Sequence, residues 1–358
     1  MTRLLVTGGA GFIGANFIYH WLKRHEQDHI IILDKLTYAG CKASLESALQ
    51  TANCFFYQGD IGDKALVSAI LERHQIDRVV NFAAESHVDR SIVGPDTFIQ
   101  TNVVGTHNLL QACKDFWLGQ GSGKAHRFHH VSTDEVYGSL SPEAPPFTEQ
   151  TPYQPNSPYS ASKAASDHLV RAYHHTYGLN VSTSNCSNNY GPYHFPEKLI
   201  PLCITNVLQG LPLPIYGDGK NVRDWLYVED HCRGIATILE NGGNGETYNI
   251  GGNNEWDNLS LVEKICERMD YKAQLGLIQR EQFPKAAVFS NDGARQAITF
   301  VRDRPGHDRR YAIDATKIEK NLGFRASVDL EKGLDLTIDW YLENEAWWRP
   351  LLTKARLG

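Results

Sequence analysis

The sequence predicts an α/β fold in which a doubly wound parallel sheet is followed by a smaller C-terminal α/β domain. Short apolar runs rich in β-branched residues alternate with helix-length segments through the first half of the chain. A glycine-rich segment joins the first run to the first helix-length segment, and the alternation loosens beyond about residue 187. Regular strand–helix alternation is typical of a parallel sheet covered on both faces. Ligands bind such sheets beyond the carboxyl ends of the strands, so functional residues are expected after each strand.

The elements of the first half follow from hydrophobic pattern and segment length. The predicted strands are Arg3–Thr7, Ile30–Asp34, Phe55–Gln58, Arg78–Phe82, Phe128–Ser132 and Val181–Asn185. The predicted helices are Ile13–His25, Lys64–His74, Val103–Phe116 and Ser157–Tyr177.

Prolines interrupt this pattern in the second half of the chain. Five of them fall within Asn188–Gly219, which favours loops and short helices over repeated strand–helix units. We therefore predict that residues 1–186 form the first domain and that residues 187–358 form mainly the second. Segments near 223–251 regain a regular pattern and are expected to return to the first domain. The segment Gln282–Gln296 is expected to be either a surface loop or a lid.

Composition and charge exclude several classes of protein. The 358 residues carry a formal net charge of −6, whereas a general nucleic-acid-binding protein would present a basic surface. No apolar run approaches the ~18 residues that span a bilayer, and the N-terminal sequence leaves no room for a signal peptide. The seven cysteines are scattered without a C-x-x-C pair, which favours reduced thiols over zinc or disulfides. We expect a cytoplasmic protein with no metal, nucleic acid or membrane as partner.

The glycine-rich segment Thr7–Gly14 has the spacing of a dinucleotide-binding loop. It follows the first strand, opens the first helix and satisfies G-x-G-x-x-G, which lets backbone amides approach a pyrophosphate closely. Asp34 ends the second strand twenty residues after Gly14, where a carboxylate accepts hydrogen bonds from the adenosine ribose. This context predicts a Rossmann-type fold that binds NAD. A carboxylate repels the 2′-phosphate of NADP, although the adjacent Lys35 weakens that distinction.

Two further segments follow predicted strands at the same edge of the sheet. Gly59–Ile61 follows the third strand and Ala83–Glu85 follows the fourth. Contacts to adenine and to the nicotinamide ribose are expected there. For Asp60, a role as a helix cap or turn residue is an equally good interpretation.

Tyr159 and Lys163 lie four residues apart at the start of a predicted helix, which puts both side chains on one face. An ammonium near a phenol favours the phenolate, so we expect Lys163 to lower the pKa of Tyr159 and make it a base for a hydroxyl proton. On an arbitrary helix such a pair would be exposed and inert, but here it follows a dinucleotide loop. The combination resembles the short-chain dehydrogenase/reductase superfamily, specifically its extended, sugar-nucleotide branch.

Two carboxylates follow the fifth strand, at Thr133-Asp134-Glu135. Most members of the superfamily need only the serine or threonine there, to hold a substrate hydroxyl. Adjacent acids at a strand end can simply be solvated. If they face a bound sugar, they offer an acid and a base, provided that their surroundings push the two pKa values apart. Elimination of water needs both groups, whereas a dehydrogenase or an epimerase needs neither.

Long runs along the chain resemble the dTDP-glucose 4,6-dehydratase family. These runs are Leu36–Gly40, Glu85–Ser91, Thr133–Glu135, Ser184–Pro192, His194–Leu199 and Arg302–Asp308. The matches extend from residue 3 to about residue 340. Cys41 departs from the pattern, since a polar residue is more usual there.

The resemblance implies a role for each catalytic candidate. Tyr159, supported by Lys163, would deprotonate the glucose 4-hydroxyl while hydride passes from C4 to NAD, and Thr133 would hydrogen-bond the same oxygen. Glu135 would then take the C5 proton, Asp134 would protonate the departing 6-hydroxyl, and hydride would return to C6. The predicted NAD contacts are Gly8, Gly11, Phe12, Ile13, Gly14, Asp34, Lys35, Leu36, Thr37, Asp60, Ile61, Ala83, Ala84, Tyr159 and Lys163.

The substrate implied by the resemblance, dTDP-glucose, needs partners for its diphosphate, its base and its sugar. Arginine presents a planar fork of donors that suits a diphosphate, which favours Arg223 and Arg304 over their alternative as surface ion pairs. His87 has a structural role as its alternative. The predicted substrate contacts are Glu85, Ser86, Thr133, Asn188, Lys198, Leu199, Pro214, Tyr216, Arg223, Asn258, Arg304 and His307.

Other functions and an assembly remain open from the sequence. A nucleotide-sugar 4-epimerase, or a 4,6-dehydratase for another nucleotide, would share the glycine loop, Tyr159 and Lys163. A catalytically silent dinucleotide-binding regulator would tend to lose the tyrosine or the lysine. The family implies a homodimer, which the helices Val103–Phe116 and Ser157–Tyr177 could form as a four-helix interface.

Overall fold

The computed structural model describes residues 1–119, 125–303 and 306–357, with side chains described as far as residue 353. Its strands, in chain order, are β1 (Arg3–Thr7), β2 (His29–Asp34), β3 (Cys54–Gln58), β4 (Arg78–Asn81), β5 (Arg127–Thr133), β6 (Val181–Cys186), β7 (Asn188–Tyr190), β8 (Leu213–Tyr216), β9 (Val222–Tyr227), β10 (Glu246–Ile250), β11 (Glu255–Asp257) and β12 (Ile298–Val301).

The main sheet has seven strands in the order β10-β6-β5-β4-β1-β2-β3. Each neighbouring pair is parallel. The continuous apolar runs of β1 and β2, such as Leu4–Val6 and Ile30–Leu33, are fully buried because helices cover both faces. The predicted α/β class and the doubly wound parallel sheet are confirmed, and the predicted ends of the six strands differ by at most one residue from those observed.

The helices lie on both faces of this sheet and in the second part of the chain. They are α1 (Phe12–Arg24), α2 (Lys64–His74), α3 (Val88–Val93), α4 (Asp96–Phe98), α5 (Thr106–Lys114), α6 (Pro158–Tyr177), α7 (Leu199–Gln209), α8 (Val228–Asn241), α9 (Asn258–Gln274), α10 (Thr316–Leu322), α11 (Leu330–Glu343) and α12 (Glu345–Leu357). Across the described segments, none of the helices has both the length and the apolar character that crossing a membrane requires.

The predicted helix Val103–Phe116 has the wrong bounds. The chain is helical from Asp96 to Gly119, and π-helical turns at Ile99–Gly105 and Asp115–Gly119 flank α5. Ile99 and Val104 are exposed, so the apolar periodicity that would have marked the start of the helix is interrupted there.

The second part of the chain has its own core. Strands β11, β9 and β7 form a three-stranded sheet, and β8 pairs with β12. Helices α7, α9 and α11 enclose an apolar cluster on these strands. Strand β10 instead joins the main sheet, and α8 packs against α1. The segment Gln282–Gln296 is packed into the second core through Phe283 and Ala294, which are 2% and 0% exposed, so it is not a free lid.

A close contact between α11 and β7 generates a stability prediction. A Cβ at Gly333 would collide with the hydroxyl of Tyr190 and lie 2.7 Å from its Cζ, and Tyr190 is completely buried. Alanine is favoured over glycine inside a helix by about 1 kcal/mol. Overpacking of a buried contact costs about 1–3 kcal/mol, which outweighs that gain.

We therefore expect Gly333→Ala to lower the free energy of unfolding by about 1–2 kcal/mol in urea titrations. The exposed neighbour Lys332 gives the matched control, because Lys332→Ala should change stability by less than about 0.5 kcal/mol. A Gly333→Ala protein more stable than the unaltered chain would show that the contact relaxes freely.

Candidate active site

A long cleft lies at the carboxyl ends of the main-sheet strands and is closed on its other side by the second part of the chain. The wall on the sheet side includes Gly8, Asp34 and Thr133, which come at or directly after the ends of β1, β2 and β5. The opposite wall includes Trp225 of β9 and Asn258 of α9. This is the position in which parallel α/β sheets bind ligands.

The glycine loop forms one end of the cleft and needs its glycines. Gly8 has a φ of +68°, and a Cβ there would lie 2.6 Å from the backbone nitrogen of Ala83. A Cβ at Gly14 would collide with the carbonyl oxygen of Gly8. Gly11 is the N-cap of α1 and provides no side-chain cap, so the first-turn amides are left for another acceptor. Because residues 11–14 line the cleft, this cradle fits the pyrophosphate of a dinucleotide.

Asp34 and Lys35 lie beside this loop. Asp34 is 8% exposed, and its two carboxylate oxygens accept the backbone N–H groups of Ala10 and Leu36, both at 2.8 Å. Burial raises the pKa of Asp34 despite these bonds. Lys35 Nζ lies 2.8 Å from Asp60 Oδ2, so its charge is already paired. This pairing removes the argument that Lys35 favours a 2′-phosphate.

Asp60 combines the two roles that the sequence left open. It lines the cleft, and its Oδ1 accepts the backbone N–H of Gly62 at 2.8 Å, as a turn residue does. Burial opposes ionisation of this carboxyl, but the hydrogen bonds from Lys35 and Gly62 prevail and lower its pKa. The N-cap of α2 is Asp63.

The start of α6 positions Tyr159 and Lys163. Ser157 and Ser160 form a reciprocal capping box, and Pro158 occupies the first helical position, where its missing N–H has no cost. Tyr159 and Lys163 then fall on the buried face of the helix, 8% and 3% exposed, and both line the cleft. Lys163 Nζ donates a hydrogen bond of 2.8 Å to the carbonyl of Val131.

The predicted lowering of the pKa of Tyr159 is wrong for this state of the protein. Burial raises its pKa well above the usual value, and the charge of Glu135 raises it further, while a hydrogen bond with Thr133 opposes them. Desolvation and a neighbouring carboxylate therefore hold the phenol in its protonated form.

The two carboxyl groups after β5 have different surroundings. Thr133 Oγ1 accepts the N–H of Glu135 at 3.3 Å and donates to Asp134 Oδ1 at 3.4 Å. Thr133 and Glu135 line the cleft. Asp134 lies directly behind them, 2% exposed, so the interpretation of two solvated acids is wrong. Burial, followed by the charges of Glu135 and Asp224, raises the pKa of Asp134 well above its usual value. Asp134 is therefore held as a neutral acid.

Arg223 lines the far end of the cleft. It is 5% exposed, its Nη2 donates to the carbonyl of Asp308 at 2.9 Å, and its guanidinium lies 4.2 Å from the ring centre of Tyr311. These contacts contradict a surface ion pair and fix the guanidinium at the cleft. Arg304 lies outside the described residues.

Nearby, Lys198 Nζ donates to the carbonyl of Ser86 at 3.3 Å. His307 Nδ1 lies 2.7 Å from Asp303 Oδ1. Tyr216 is 41% exposed, and its ring stands at 88° to that of His307 with the ring centres 6.4 Å apart.

The cleft collects nearly all of the predicted residues that the structure describes. Those lining it are Gly8, Gly11, Phe12, Ile13, Gly14, Asp34, Lys35, Thr37, Asp60, Ile61, Ala83, Ala84, Glu85, Ser86, Thr133, Glu135, Tyr159, Lys163, Asn188, Lys198, Leu199, Pro214, Tyr216, Arg223, Asn258 and His307. Leu36 and Asp134 do not line it. Leu36 has a φ of +57°, and its backbone N–H donates to the carboxylate of Asp34. Asp134 is covered by neighbouring residues.

Other residues at the cleft were missed or left open by the sequence analysis. His194 lines the cleft and stacks on Phe12 with ring centres 4.1 Å apart, and Cys186 lines the cleft from the end of β6. Both residues lie in runs that resemble the dehydratase family, and this resemblance is the feature of the sequence that could have identified them. His87 is the N-cap of α3, and its Nδ1 accepts the N–H of Arg90, so its structural role is observed. Cys41 does not line the cleft.

Comparison with known proteins identifies the family of this chain. Residues 5–337 match the GDP-mannose 4,6 dehydratase family. A dTDP-glucose 4,6-dehydratase of Xanthomonas campestris pv. campestris (strain B100) is 56% identical over 356 residues, which are 98% of this chain and 96% of that protein.

Similar solved structures include a dehydratase and an epimerase. A dTDP-glucose 4,6-dehydratase from Streptomyces venezuelae, solved with NAD and dTDP bound, superposes with a TM-score of 0.86 at 47% identity and covers 98% of this chain and 100% of its own. A UDP-glucose 4-epimerase from Thermotoga maritima, solved with UDP-glucose, has a TM-score of 0.82 at 26% identity, covering 96% and 100%. The chain therefore belongs to the GDP-mannose 4,6 dehydratase family and, within it, to the dTDP-glucose 4,6-dehydratases.

Proposed function

We propose that this protein dehydrates dTDP-glucose to dTDP-4-keto-6-deoxyglucose, with NAD as its cofactor. The observation that carries this function is the pair Asp134 and Glu135, one buried and neutral and the other at the cleft wall, next to Tyr159. An acid and a base on one sugar are what elimination of water requires. The lyase activity agrees with the names of the similar proteins.

The redox steps depend on Tyr159, Thr133 and Lys163. NAD held by the glycine loop and Asp34 would supply the hydride acceptor for C4 and the donor for C6, and the positive charge of its oxidised form would favour the phenolate of Tyr159. Tyr159 takes the proton of the 4-hydroxyl, and the Thr133 hydroxyl holds the same oxygen. The Lys163 ammonium places a positive charge at the wall of the cleft. Because this ammonium is buried, its attraction for negative charge that develops on the tyrosine and the substrate oxygen is only weakly screened by water.

Elimination follows from the acidity that a C4 ketone gives to the C5 hydrogen. Glu135 removes that proton as the base, because it faces the cleft. Asp134 supplies a proton to the departing 6-hydroxyl as the acid, because its surroundings keep it protonated. For Asp134 to reach the sugar, the Thr133–Asp134 contact has to shift, since Asp134 is covered before substrate binds.

The substrate contacts are proposed at the far end of the cleft. Arg223 binds the diphosphate through its planar guanidinium, with His307 and Asn258 beside it. Tyr216, which is partly exposed at the cleft, stacks on the thymine. Glu85 and Ser86 bind the glucose hydroxyls. Arg304 is proposed as a second diphosphate ligand from the family resemblance alone.

The alternative functions have less support. A 4-epimerase would use the glycine loop, Tyr159 and Lys163 but would have no use for a neutral buried acid beside Glu135, and the epimerase compared above is only 26% identical. A dehydratase for another nucleotide would share all of the sugar chemistry and differ at the base end of the cleft. A silent regulator would not need Tyr159 and Lys163.

We also propose the remaining features that the sequence suggests. The side chains of Ile99, Val104 and Leu118 are exposed on the helical segment 96–119. They support a homodimer in which this segment and α6 of each subunit form a four-helix interface. The pairing of β10 with the main sheet supports a first domain of residues 1–186 to which segments near 223–251 return. The second core supports a substrate domain within residues 187–358. A cytoplasmic location is proposed from the scattered cysteines.

The reaction is tested by incubating the protein with dTDP-glucose deuterated at C4. The product is expected to be a 4-keto-6-deoxy sugar nucleotide that carries the label at C6, because hydride returns within the same active site, with no net formation of reduced NAD. Mass spectrometry of the product makes the measurement. A hexose epimerised at C4 would reject the proposal, and preference for a UDP, CDP or GDP sugar in competition would reject the thymidine assignment.

The division of roles between the two carboxyl groups is tested by Glu135→Gln. Removal of the C5 base should lower the rate of dehydration by about 10²–10⁴-fold while C4 oxidation continues, so reduced NAD should accumulate and be visible by absorbance. Asp134→Asn should instead slow departure of the 6-hydroxyl. Exchange of the C5 hydrogen with solvent should continue in this variant, because Glu135 is intact. Equal effects of the two substitutions on C5 exchange would contradict the assignment.

The raised pKa of Asp134 also fixes the direction of a pH effect. A general acid works only while it is protonated. The rate of dehydration should therefore decline as the pH rises through the pKa of Asp134. Lowering the pH through the usual carboxyl range should not slow the step through Asp134, which stays protonated. Stopped-flow measurement of the elimination step across pH checks this. The Asp134→Asn protein, which has no proton to lose there, should lack this alkaline decline of the elimination step.

A further inference from the structure

A buried polar network adjoins Lys163 outside the cleft. Asp167 lies one helical turn further along α6, and His130 lies on β5; they are 5% and 0% exposed, and neither lines the cleft. His130 Nε2 lies 3.3 Å from Asp167 Oδ1 and 3.4 Å from Lys163 Nζ. The mechanism above assigns no role to either residue, yet His130 approaches its lysine and Asp167 lies on the other side of His130.

Hydrogen bonds fix the orientation of the His130 ring. Thr7 Oγ1 donates to Asn81 Oδ1 at 2.6 Å, so the other side of this amide donates to His130 Nδ1 at 3.1 Å. The ring proton therefore sits on Nε2, which faces Asp167. Burial, followed by the charge of Lys163, lowers the pKa of His130 to about 4, so the imidazole is neutral. With its proton on Nε2 the ring has no lone pair to offer the ammonium, so it is an uncharged spacer between Lys163 and Asp167.

Asp167 is held from its other side by two hydroxyl groups. Ser132 Oγ donates to Asp167 Oδ2 at 2.8 Å, and the Tyr153 hydroxyl donates to the same oxygen at 3.1 Å. Asp167 Oδ1 accepts no hydrogen bond of good geometry within the described part of the chain. A buried carboxylate needs a positive partner, and Lys163 is the nearby cation that meets this need.

Lys163 has the matching requirement. Its ammonium is 3% exposed, and burial lowers its pKa; Asp167 is the strongest influence acting in the opposite direction. The ionisable groups around it are His130 from β5, Asp167 and Tyr159 from α6, and Cys186 from β6.

We propose that Asp167 is a positioning residue for the hydride-transfer steps, supplying across the neutral His130 ring the buried counter-charge that keeps Lys163 charged and directed at the cleft. This inference rests on the proposed function of Tyr159 and Lys163. Asp167 acts through Lys163 and not on the sugar, so its loss changes turnover more than substrate binding.

Asp167→Asn tests this, because it keeps the shape and one oxygen acceptor and removes only the charge. Without the carboxylate, Lys163 loses its proton at lower pH, so the alkaline limb of kcat should move down by about one pH unit or more. At neutral pH kcat should fall by roughly 10- to 100-fold, with KM for dTDP-glucose changed by less than about threefold. Asp167→Glu, which restores the charge, should return the alkaline limb towards its original position.

Tyr153→Phe is the matched control. It removes a hydrogen bond to the same carboxylate but no charge, and Tyr153 does not line the cleft, so the pH profile should stay in place. A folded Asp167→Asn protein whose pH profile matches that of the unaltered chain would overturn the inference, while conversion of dTDP-glucose by the unaltered chain would leave the proposed function standing.

A measurement on the unaltered protein covers the case in which Asp167→Asn does not fold. NMR of ¹³Cε-labelled lysine, assigned with Lys163→Arg, should show that Lys163 is protonated at neutral pH despite its burial. A Lys163 signal that is already deprotonated at neutral pH would show that no counter-charge acts on it and would overturn the inference.

Discussion

The hydroxyl of Thr133 holds a short helical turn against the end of β5, and the chemistry of the cleft depends on this contact. Two carboxyl groups that are adjacent in sequence would behave alike in water. Here the turn directs Glu135 to the cleft wall and leaves Asp134 behind it, where burial and the charges of Glu135 and Asp224 keep Asp134 neutral. The parallel sheet makes this possible, because a strand that ends at the cleft can present one residue to the ligand and bury the next.

The loop from Gly191 to Phe195 joins the cofactor loop to the second part of the chain. Asn16 of α1 donates to the carbonyl of Pro192 at 2.9 Å, and His194 stacks on Phe12. Tyr193, with a φ of +63°, stacks on Tyr19, and the same ring meets two tryptophans of the C-terminal helices edge-on. One short segment therefore fixes the distance between the dinucleotide cradle and the substrate walls.

The sequence was sufficient for the main sheet and for most of the cleft, because both depend on local signals. Apolar runs of strand length identified β1 to β6, and the glycine spacing identified the cradle. The exact start of the long helix before α5 was not predictable, since exposed Ile99 and Val104 hide its periodicity. The packing of Gln282–Gln296 was missed because its buried residues, such as Phe283, are far apart in a polar segment.

Electrostatic properties were the least predictable part of the site. Helical spacing correctly put Tyr159 and Lys163 on one face, but spacing carries no information on desolvation. The pKa of Tyr159 is set mainly by burial and by Glu135, which is distant in sequence. In the same way, the arrangement of Lys163, His130 and Asp167 joins α6 to β5, and only the fold brings these elements together.

The ion pair between Lys35 and Asp60 has a consequence for attempts to change the cofactor. An engineer who replaces Asp34 by a small neutral residue removes the repulsion of a 2′-phosphate but does not gain a cation, because Asp60 still holds the lysine at 2.8 Å. Recruiting the lysine requires a second substitution, at Asp60. That residue also fixes the turn before α2 through Gly62, so a redesigned chain would have to rebuild the turn as well.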